Sequence, residues 1–317
     1  MRKQILATGF VLFSFMLPLR ATAASFSQMY VFGDSASDVG NSFDATGIPP
    51  SPLYYQGRFS NGPVWVEYLA QDLGLTPNPQ SNFAFGGANT GSRNTLIPGL
   101  EGLPGLQQQI DSFKATNAQA DPDALYIVWA GFNDYLSRSA TDPIVPVNNL
   151  TTAVSSLADY GAKDIMVVNL PDLGELPGPR ADNQFSSSLN TLTALHNSGL
   201  NFSSDFLSQT TDTNIIQLDV NSLFKQVIAN PAEFGFTNVT DACLDTTTFV
   251  RCSKPDEYFF WDNFHPTTAG HEKVAEFALS ELTAKSVPEP SAGLGILALG
   301  VLGAVSVVKH KQKKARE

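Results

Sequence analysis

Five short runs of apolar and β-branched residues punctuate the chain: Met29 to Phe32, Phe83 to Phe85, Leu125 to Ala130, Ile165 to Asn169 and Ile215 to Val220. Between and after them lie stretches with helical spacing of apolar positions. Helices are predicted over Pro63 to Leu73, Leu103 to Ala115, Val147 to Tyr160, Ala181 to Leu207, Ser222 to Ala229 and Thr267 to Ala284. The last follows Pro266 and repeats apolar positions at Val274, Phe277, Ala278 and Leu282, the 3.6-residue period of one buried face. Strands that alternate with helices are joined by crossovers, and crossovers make a parallel sheet covered on both faces. The pattern therefore predicts one α/β domain of three layers, α/β/α, with five strands. Two segments carry neither period: Gly47 to Gly62, rich in Pro and Tyr, and Thr237 to His265, which holds both cysteines.

The two ends break this pattern. Residues 1–23 read Arg2-Lys3, an apolar run from Ile5 to Pro18, then Ala21-Thr22-Ala23, the basic, apolar and small-residue order of a secretory signal cut after Ala23. At the other end Pro288-Glu289-Pro290 precedes an uncharged apolar stretch, Ser291 to Val308, and then Lys309, Lys311, Lys313, Lys314 and Arg316. Such a stretch just suffices to cross a hydrocarbon core of about 30 Å, and the basic cluster would hold its end in the cytoplasm. This tail resembles the PEP-CTERM sorting signal of bacteria with an outer membrane. The resemblance implies recognition and cleavage by a membrane protease, with release or surface attachment of the rest; a retained membrane anchor is the alternative. The expected organisation is a leader over 1–23, one domain over 24–285 and a sorting and membrane segment over 286–317.

Composition narrows the classes further. With 43% hydrophobic and 15% charged residues, the chain is neither a disordered polyelectrolyte nor a coiled coil. The whole chain carries a net charge of −11, but residues 24–285 hold 11 basic and 28 acidic side chains, a net of −17. So acidic a surface repels phosphate backbones and argues against a nucleic-acid partner. In an exported chain the lone pair Cys243 and Cys252 is expected to form a disulfide, which would staple the segment leading to His265. Neither Cys-x-x-Cys nor His-x-x-x-His spacing accompanies them, so no metal is expected. No phosphate loop or dinucleotide fingerprint occurs, so no nucleotide cofactor is expected. The Gly-x-Ser-x-Gly elbow of the α/β-hydrolases is also missing.

Candidate chemistry follows from where polar residues meet the strand ends. The first run leads into Gly33-Asp34-Ser35, the second into Gly86-Gly87, the third into Gly131-Phe132-Asn133-Asp134. All lie at carboxyl ends of strands, where open α/β sheets hold their ligands. The fourth element, Asp262-Asn263-Phe264-His265-Pro266, precedes the last helix and sets an Asp three residues ahead of a His. Each alone is more often a cap or a turn than a catalytic group. Together, in this order, they are brought to one rim by the predicted fold.

Those four blocks resemble the GDSL esterases and lipases, or SGNH hydrolases. The Ser block is Val31-Phe32-Gly33-Asp34-Ser35-Ala36-Ser37-Asp38-Val39-Gly40-Asn41, with Ala36 where Leu is usual. The Gly block is Asn82-Phe83-Ala84-Phe85-Gly86-Gly87-Ala88, preceded by Gly57-Arg58-Phe59-Ser60-Asn61-Gly62, and the stretch from Cys243 to Trp261 is similar to the lecithinase-like branch. The resemblance spans residues 28 to about 282. It implies a flavodoxin-like five-stranded parallel sheet and hydrolysis of carboxylic esters. It implies Ser35 as nucleophile, His265 as base, Asp262 as the group orienting His265, and an oxyanion hole from the Ser35 N–H, the Gly86 N–H and the Asn133 side chain. Gly86 is preferred to Gly87 only by the alignment of the block. Asp34, Asp38 and Asp134 are read as loop-ordering groups, and His196, His271 and His310 as bystanders.

The substrate class is left open: lipid or phospholipid esters first, acetyl groups on polysaccharide second. Tyr54, Tyr55, Phe59, Trp65, Phe132 and Trp261 are candidates to line an acyl groove or simply to fill the core. The competing reading is a catalytically silent surface module that binds polysaccharide or a protein partner.

Overall fold

The computed structural model describes residues 26–285; the expected leader and sorting segment lie outside the described residues. Four strands, β1 (Met29–Gly33), β2 (Leu125–Trp129), β3 (Asp164–Val168) and β4 (Asn214–Leu218), pair in parallel in the order β1-β2-β3-β4. The helices in chain order are α1 (Asn41–Thr46), α2 (Trp65–Asp72), α3 (Leu106–Thr116), α4 (Phe132–Leu136), α5 (Ile144–Asp159), α6 (Pro177–Arg180), α7 (Asn183–Thr210), α8 (Val220–Ala229) and α9 (Thr268–Lys285).

Because successive strand residues face opposite ways, one register row serves each face. Val31, Ile127, Met166 and Ile216 lie side by side across the sheet and bury in one core with residues of α2, α8 and α9. The adjacent row, Tyr30, Tyr126, Ile165 and Ile215, buries in the other core with α3, α5 and α7. Each large side chain so buried contributes about 1.5–3 kcal/mol, which is why these runs are apolar throughout rather than alternating. The three-layer α/β/α architecture is the one the sequence pattern implies.

The segment predicted as the second strand differs. Residues 82–85 run beside β1, where Phe83 N–H donates to Val31 O at 2.7 Å and Phe85 N–H to Gly33 O at 3.1 Å, but only one bridge, Val31 to Asn82, forms. The reason is local. The Gly33 N–H, which would donate back to this segment, is taken by Gln109 Oε1 at 2.8 Å, while the Asn41 amide donates to Asn82 O and Ala84 O, both at 2.9 Å, on the side away from β1.

Beyond β4 the irregular segment predicted over 237–265 holds small strands: β5 (Asn238–Ala242), β6 (Leu244–Asp245), β7 (Val250–Arg251) and β8 (Tyr258–Phe260). β6 and β7 form a hairpin closed by the disulfide Cys243–Cys252, with Cα atoms 4.9 Å apart. The N–H groups of Cys243 and Leu244 donate to Phe260 O and Trp261 O at 3.0 and 2.6 Å, so the stapled hairpin fixes the chain just ahead of Asp262. Among the described residues no helix is long and apolar enough to cross a membrane, and the predicted spanning stretch, residues 291–308, falls outside them.

Candidate active site

The carboxyl ends of β1 and β2 set the site. Gly33 closes β1 against β2 so tightly that a Cβ there would lie 2.2 Å from Trp129 O. The buried Gln109 of α3 then pins both polar groups of Gly33, accepting from its N–H and donating to its O, each at 2.8 Å. Ser35 follows, half-buried at the tip of the strand. Sequence reasoning missed Gln109, because a polar residue in a helical stretch reads as a solvent-facing position.

The Ser and Gly blocks are tied together through Asp38, fully buried. Its Oδ1 accepts from the Gly40 and Asn41 N–H groups at 2.8 and 2.7 Å. Its Oδ2 accepts from Ser42 N–H at 3.1 Å and Gly86 N–H at 2.9 Å. The Gly86 N–H also reaches Ser42 Oγ at 2.7 Å, so this donor is already engaged away from Ser35. This corrects the alignment-based preference for Gly86 as oxyanion donor. Gly87, not Gly86, lines the cavity at Ser35. It needs to be glycine: its φ is +76°, and a Cβ would lie 2.3 Å from Leu96 N.

Asn133 stands at the start of α4, two residues past Gly131, whose φ is +131°. Its amide donates to Ala88 O at 3.0 Å, which engages one of the two N–H bonds on that nitrogen. Asp134 beside it is bound by the N–H and hydroxyl of Thr90, both at 2.9 Å, an ordering role like that read for it from sequence.

The turn between β8 and α9 delivers the remaining pair. Trp261 N–H donates to His265 O at 2.8 Å, and the Phe264 and His265 N–H groups both donate to Asp262 Oδ1 at 2.8 Å. Asp262 thereby caps the turn and, at three residues' spacing, also meets the ring: His265 Nδ1 lies 2.9 Å from both Asp262 oxygens. On the other side His265 Nε2 lies 2.8 Å from Ser35 Oγ, across 230 residues of sequence. Phe59 lies beside the imidazole with centroids 5.2 Å apart.

Electrostatics follow from this geometry. Burial alone would favour neutral imidazole, but the Asp262 carboxylate, through its charge and hydrogen bond, and the charge of Asp34 outweigh it, and His265 is held above the usual histidine range. Burial likewise works against the Asp262 charge, but His265, the Tyr54 hydroxyl and the Phe264 N–H hold it below the ordinary carboxylate range. Asp34 is pushed up to about 7, chiefly by burial, and its Oδ2 lacks a hydrogen-bond partner.

A cavity of about 210 Å³ opens at this constellation. Its polar wall is Asp34, Ser35, Asn133 and His265; its apolar wall is Phe59, Trp129, Phe132, Leu136, Leu176, Phe224 and Phe264. Of the aromatic residues proposed for a groove, Phe59 and Phe132 line it. The others do not. Trp65 is fully buried against Trp129 and donates to Ser37 Oγ at 3.0 Å; Trp261 and Tyr54 pack in a separate cluster with the disulfide hairpin; Tyr55 lies under Arg58 on the surface. Large rings in a domain this size mostly fill layers, and of these six candidates only two reach the rim. His196 is buried and bonds Tyr135, and His271 is buried in α9, so neither reaches the cavity.

Residues 29–278 match the family model described as GDSL-like lipase/acylhydrolase. The chain belongs to that family. As a GDSL-like lipase/acylhydrolase it is a carboxylic ester hydrolase. Residues 286–309 match the PEP-CTERM protein-sorting motif, which indicates export and surface sorting. Among curated relatives, the phosphatidylcholine-sterol acyltransferase of Aeromonas hydrophila is 32% identical over 305 residues, covering 80% of this chain and 89% of that protein. The thermolabile hemolysin of Vibrio parahaemolyticus is 30% identical over 270 residues, covering 79% of this chain but 62% of that protein. Among solved structures, a lipolytic G-D-S-L family member from Veillonella parvula superposes with a TM-score of 0.46 at 15% identity, covering 80% of this chain and 96% of that one.

Proposed function

We propose that residues 24–285 form an exported serine esterase of lipid-like acyl esters, working through an acyl-enzyme on Ser35, with the two ends of the chain serving as leader and sorting segment. The observation that carries this is the continuous relay from Ser35 Oγ through His265 to Asp262, at 2.8 and 2.9 Å, beside an apolar cavity. A serine hydroxyl is a weak nucleophile until a base takes its proton. As Ser35 Oγ attacks the ester carbonyl, its proton passes to His265 Nε2, and Asp262 stabilises the resulting imidazolium through Nδ1–H. The negative charge forming on the carbonyl oxygen is met by the Ser35 and Gly87 N–H groups and the second N–H of Asn133. Such donors are worth about 3–4 kcal/mol each. Collapse expels the alcohol, which takes the proton from Nε2. Water, deprotonated by the same nitrogen, then releases the acid and regenerates Ser35.

The lining supports an acyl chain longer than acetyl. At roughly 30 Å³ per water-sized volume the cavity spans about seven of them, and its long wall is aromatic and aliphatic. The two relatives whose names speak of phosphatidylcholine and of haemolysis agree with a lipid ester. Polysaccharide O-acetyl groups are the second reading, favoured by the sorting motif. The test is hydrolysis of a nitrophenyl ester series from acetate to laurate, alongside acetate release from acetylated xylan. The expected result is kcat/KM rising beyond acetate and vanishing in Ser35→Ala. Highest kcat/KM on acetate, with efficient deacetylation of xylan, would replace the lipid reading. Equal rates in Ser35→Ala would remove Ser35 as the nucleophile, and no hydrolysis above background by folded wild-type protein would leave a silent binding module.

A further inference from the structure

The loop over residues 47–62 has no regular period, yet it grips the turn of His265 from both sides. Downstream of His265, Ser60 Oγ donates to Pro266 O at 2.9 Å, and Asn61 Oδ1 accepts from Thr268 N–H at 2.8 Å. Upstream, the Tyr54 hydroxyl donates to Asp262 Oδ2 at 2.7 Å, across 208 residues. Tyr54 is itself buried and held edge-on by Phe59 and Trp261, each ring 6.4 Å away.

The two oxygens of Asp262 are unequally served. Oδ1 takes two backbone N–H groups of its own turn and a share of the His265 ring N–H. Oδ2 takes the other share of that ring N–H and, from outside the turn, the Tyr54 hydroxyl. A carboxylate anchored at one oxygen alone can rotate about its Cβ–Cγ bond, a broad torsion with little intrinsic preference. Rotation would take Oδ2 out of line with the imidazole. The phenol supplies the second anchor.

We propose that Tyr54 is a positioning residue of the ester hydrolysis, fixing the Asp262 carboxylate against the His265 ring so that Nδ1 carries the proton and Nε2 stays free to receive that of Ser35. This rests on the reading of Ser35, His265 and Asp262 as the reacting relay. Tyr54 acts through Asp262 and touches neither substrate nor the nucleophile. The titratable groups that act on the pair are Tyr54 from the loop, Asp34 from the end of β1 and His271 from α9.

The test is Tyr54→Phe in the full chain, with Asp262→Asn as control and rates referred to sites titrated by a fluorophosphonate, so that a partly folded preparation does not distort them. Loss of one hydrogen bond to a charged acceptor is expected to lower kcat about tenfold with KM within twofold. A carboxylate relieved of the phenol binds the imidazolium more strongly, so the acid limb of kcat/KM moves to higher pH. The low-field proton resonance of the His265 Nδ1–H also shifts. A Tyr54→Phe enzyme with unchanged kcat, acid limb and low-field resonance overturns the proposal while Asp262→Asn remains inactive. A fully active Asp262→Asn enzyme overturns both this proposal and the relay on which it rests.

Discussion

Replacing Asp262 by Asn changes one atom and leaves the shape of the turn, yet the surrounding bonds dictate how the new amide sits. The Phe264 and His265 N–H groups donate to Oδ1 at 2.8 Å, so the amide oxygen must occupy that position. The amide nitrogen is left at the place of Oδ2, 2.9 Å from His265 Nδ1. A donor now faces Nδ1 beside the amide oxygen, which already takes two backbone N–H groups, and this favours the tautomer with its proton on Nε2, where it blocks transfer from Ser35 Oγ at 2.8 Å. The charge is lost as well. With imidazolium and carboxylate centres roughly 4 Å apart and an effective dielectric of about 20, that attraction is worth about 4 kcal/mol, near a thousandfold in rate. Adding the unfavourable tautomer, kcat is expected to fall about 10⁴-fold with KM little changed. Steady-state hydrolysis of a nitrophenyl ester from pH 5 to 9 measures it. Loss of less than tenfold at pH 7.5 would refute the reasoning.

Asn133→Ala removes the one side-chain donor proposed for the oxyanion and should lower kcat by about 10²–10³ without raising KM, read in the same assay. His196 is lowered to about 4 by burial, so between pH 6.5 and 4 the unfolded chain takes up a proton that the native one refuses, and stability falls as pH drops through that window. The loss is on the order of 3 kcal/mol, and urea unfolding at pH 7 and pH 4 should show a difference smaller by about that amount in His196→Gln. Replacing Cys243 and Cys252 by Ser opens the hairpin, costs about 2–3 kcal/mol, and should lower Tm by roughly 5–10 °C, read by calorimetry.

What the chain discloses by itself follows from where identity is fixed by chemistry. Strands β1 to β4 are buried on both faces, so their apolar runs stand out, and Ser35, Asp262 and His265 in loops and Asn133 at a helix start lie in blocks that follow a recognisable order. The disulfide was legible because export leaves an even cysteine pair few other fates. The choice between Gly86 and Gly87 was not. It turns on where the Gly86 N–H is already bound, and its bonds to Asp38 and Ser42, each more than forty residues away, are not visible in a string of letters. The edge segment at 82–85 reads as a strand because its residues are apolar; what stops it from pairing fully is Gln109, 76 residues from Gly33 in sequence, which takes the Gly33 N–H. Tyr54 and Gln109 escaped for the same reason. Their function is a bond to a distant segment, and no local period announces it.

The measurement that reaches the centre of this account is covalent labelling of the full-length protein by a fluorophosphonate, followed by peptide mass mapping. A single adduct on Ser35, formed rapidly in the wild type, slowed by orders of magnitude in His265→Ala and absent in Ser35→Ala, is the predicted result. A folded wild-type protein that takes up no reagent, or takes it up at another serine, would contradict it.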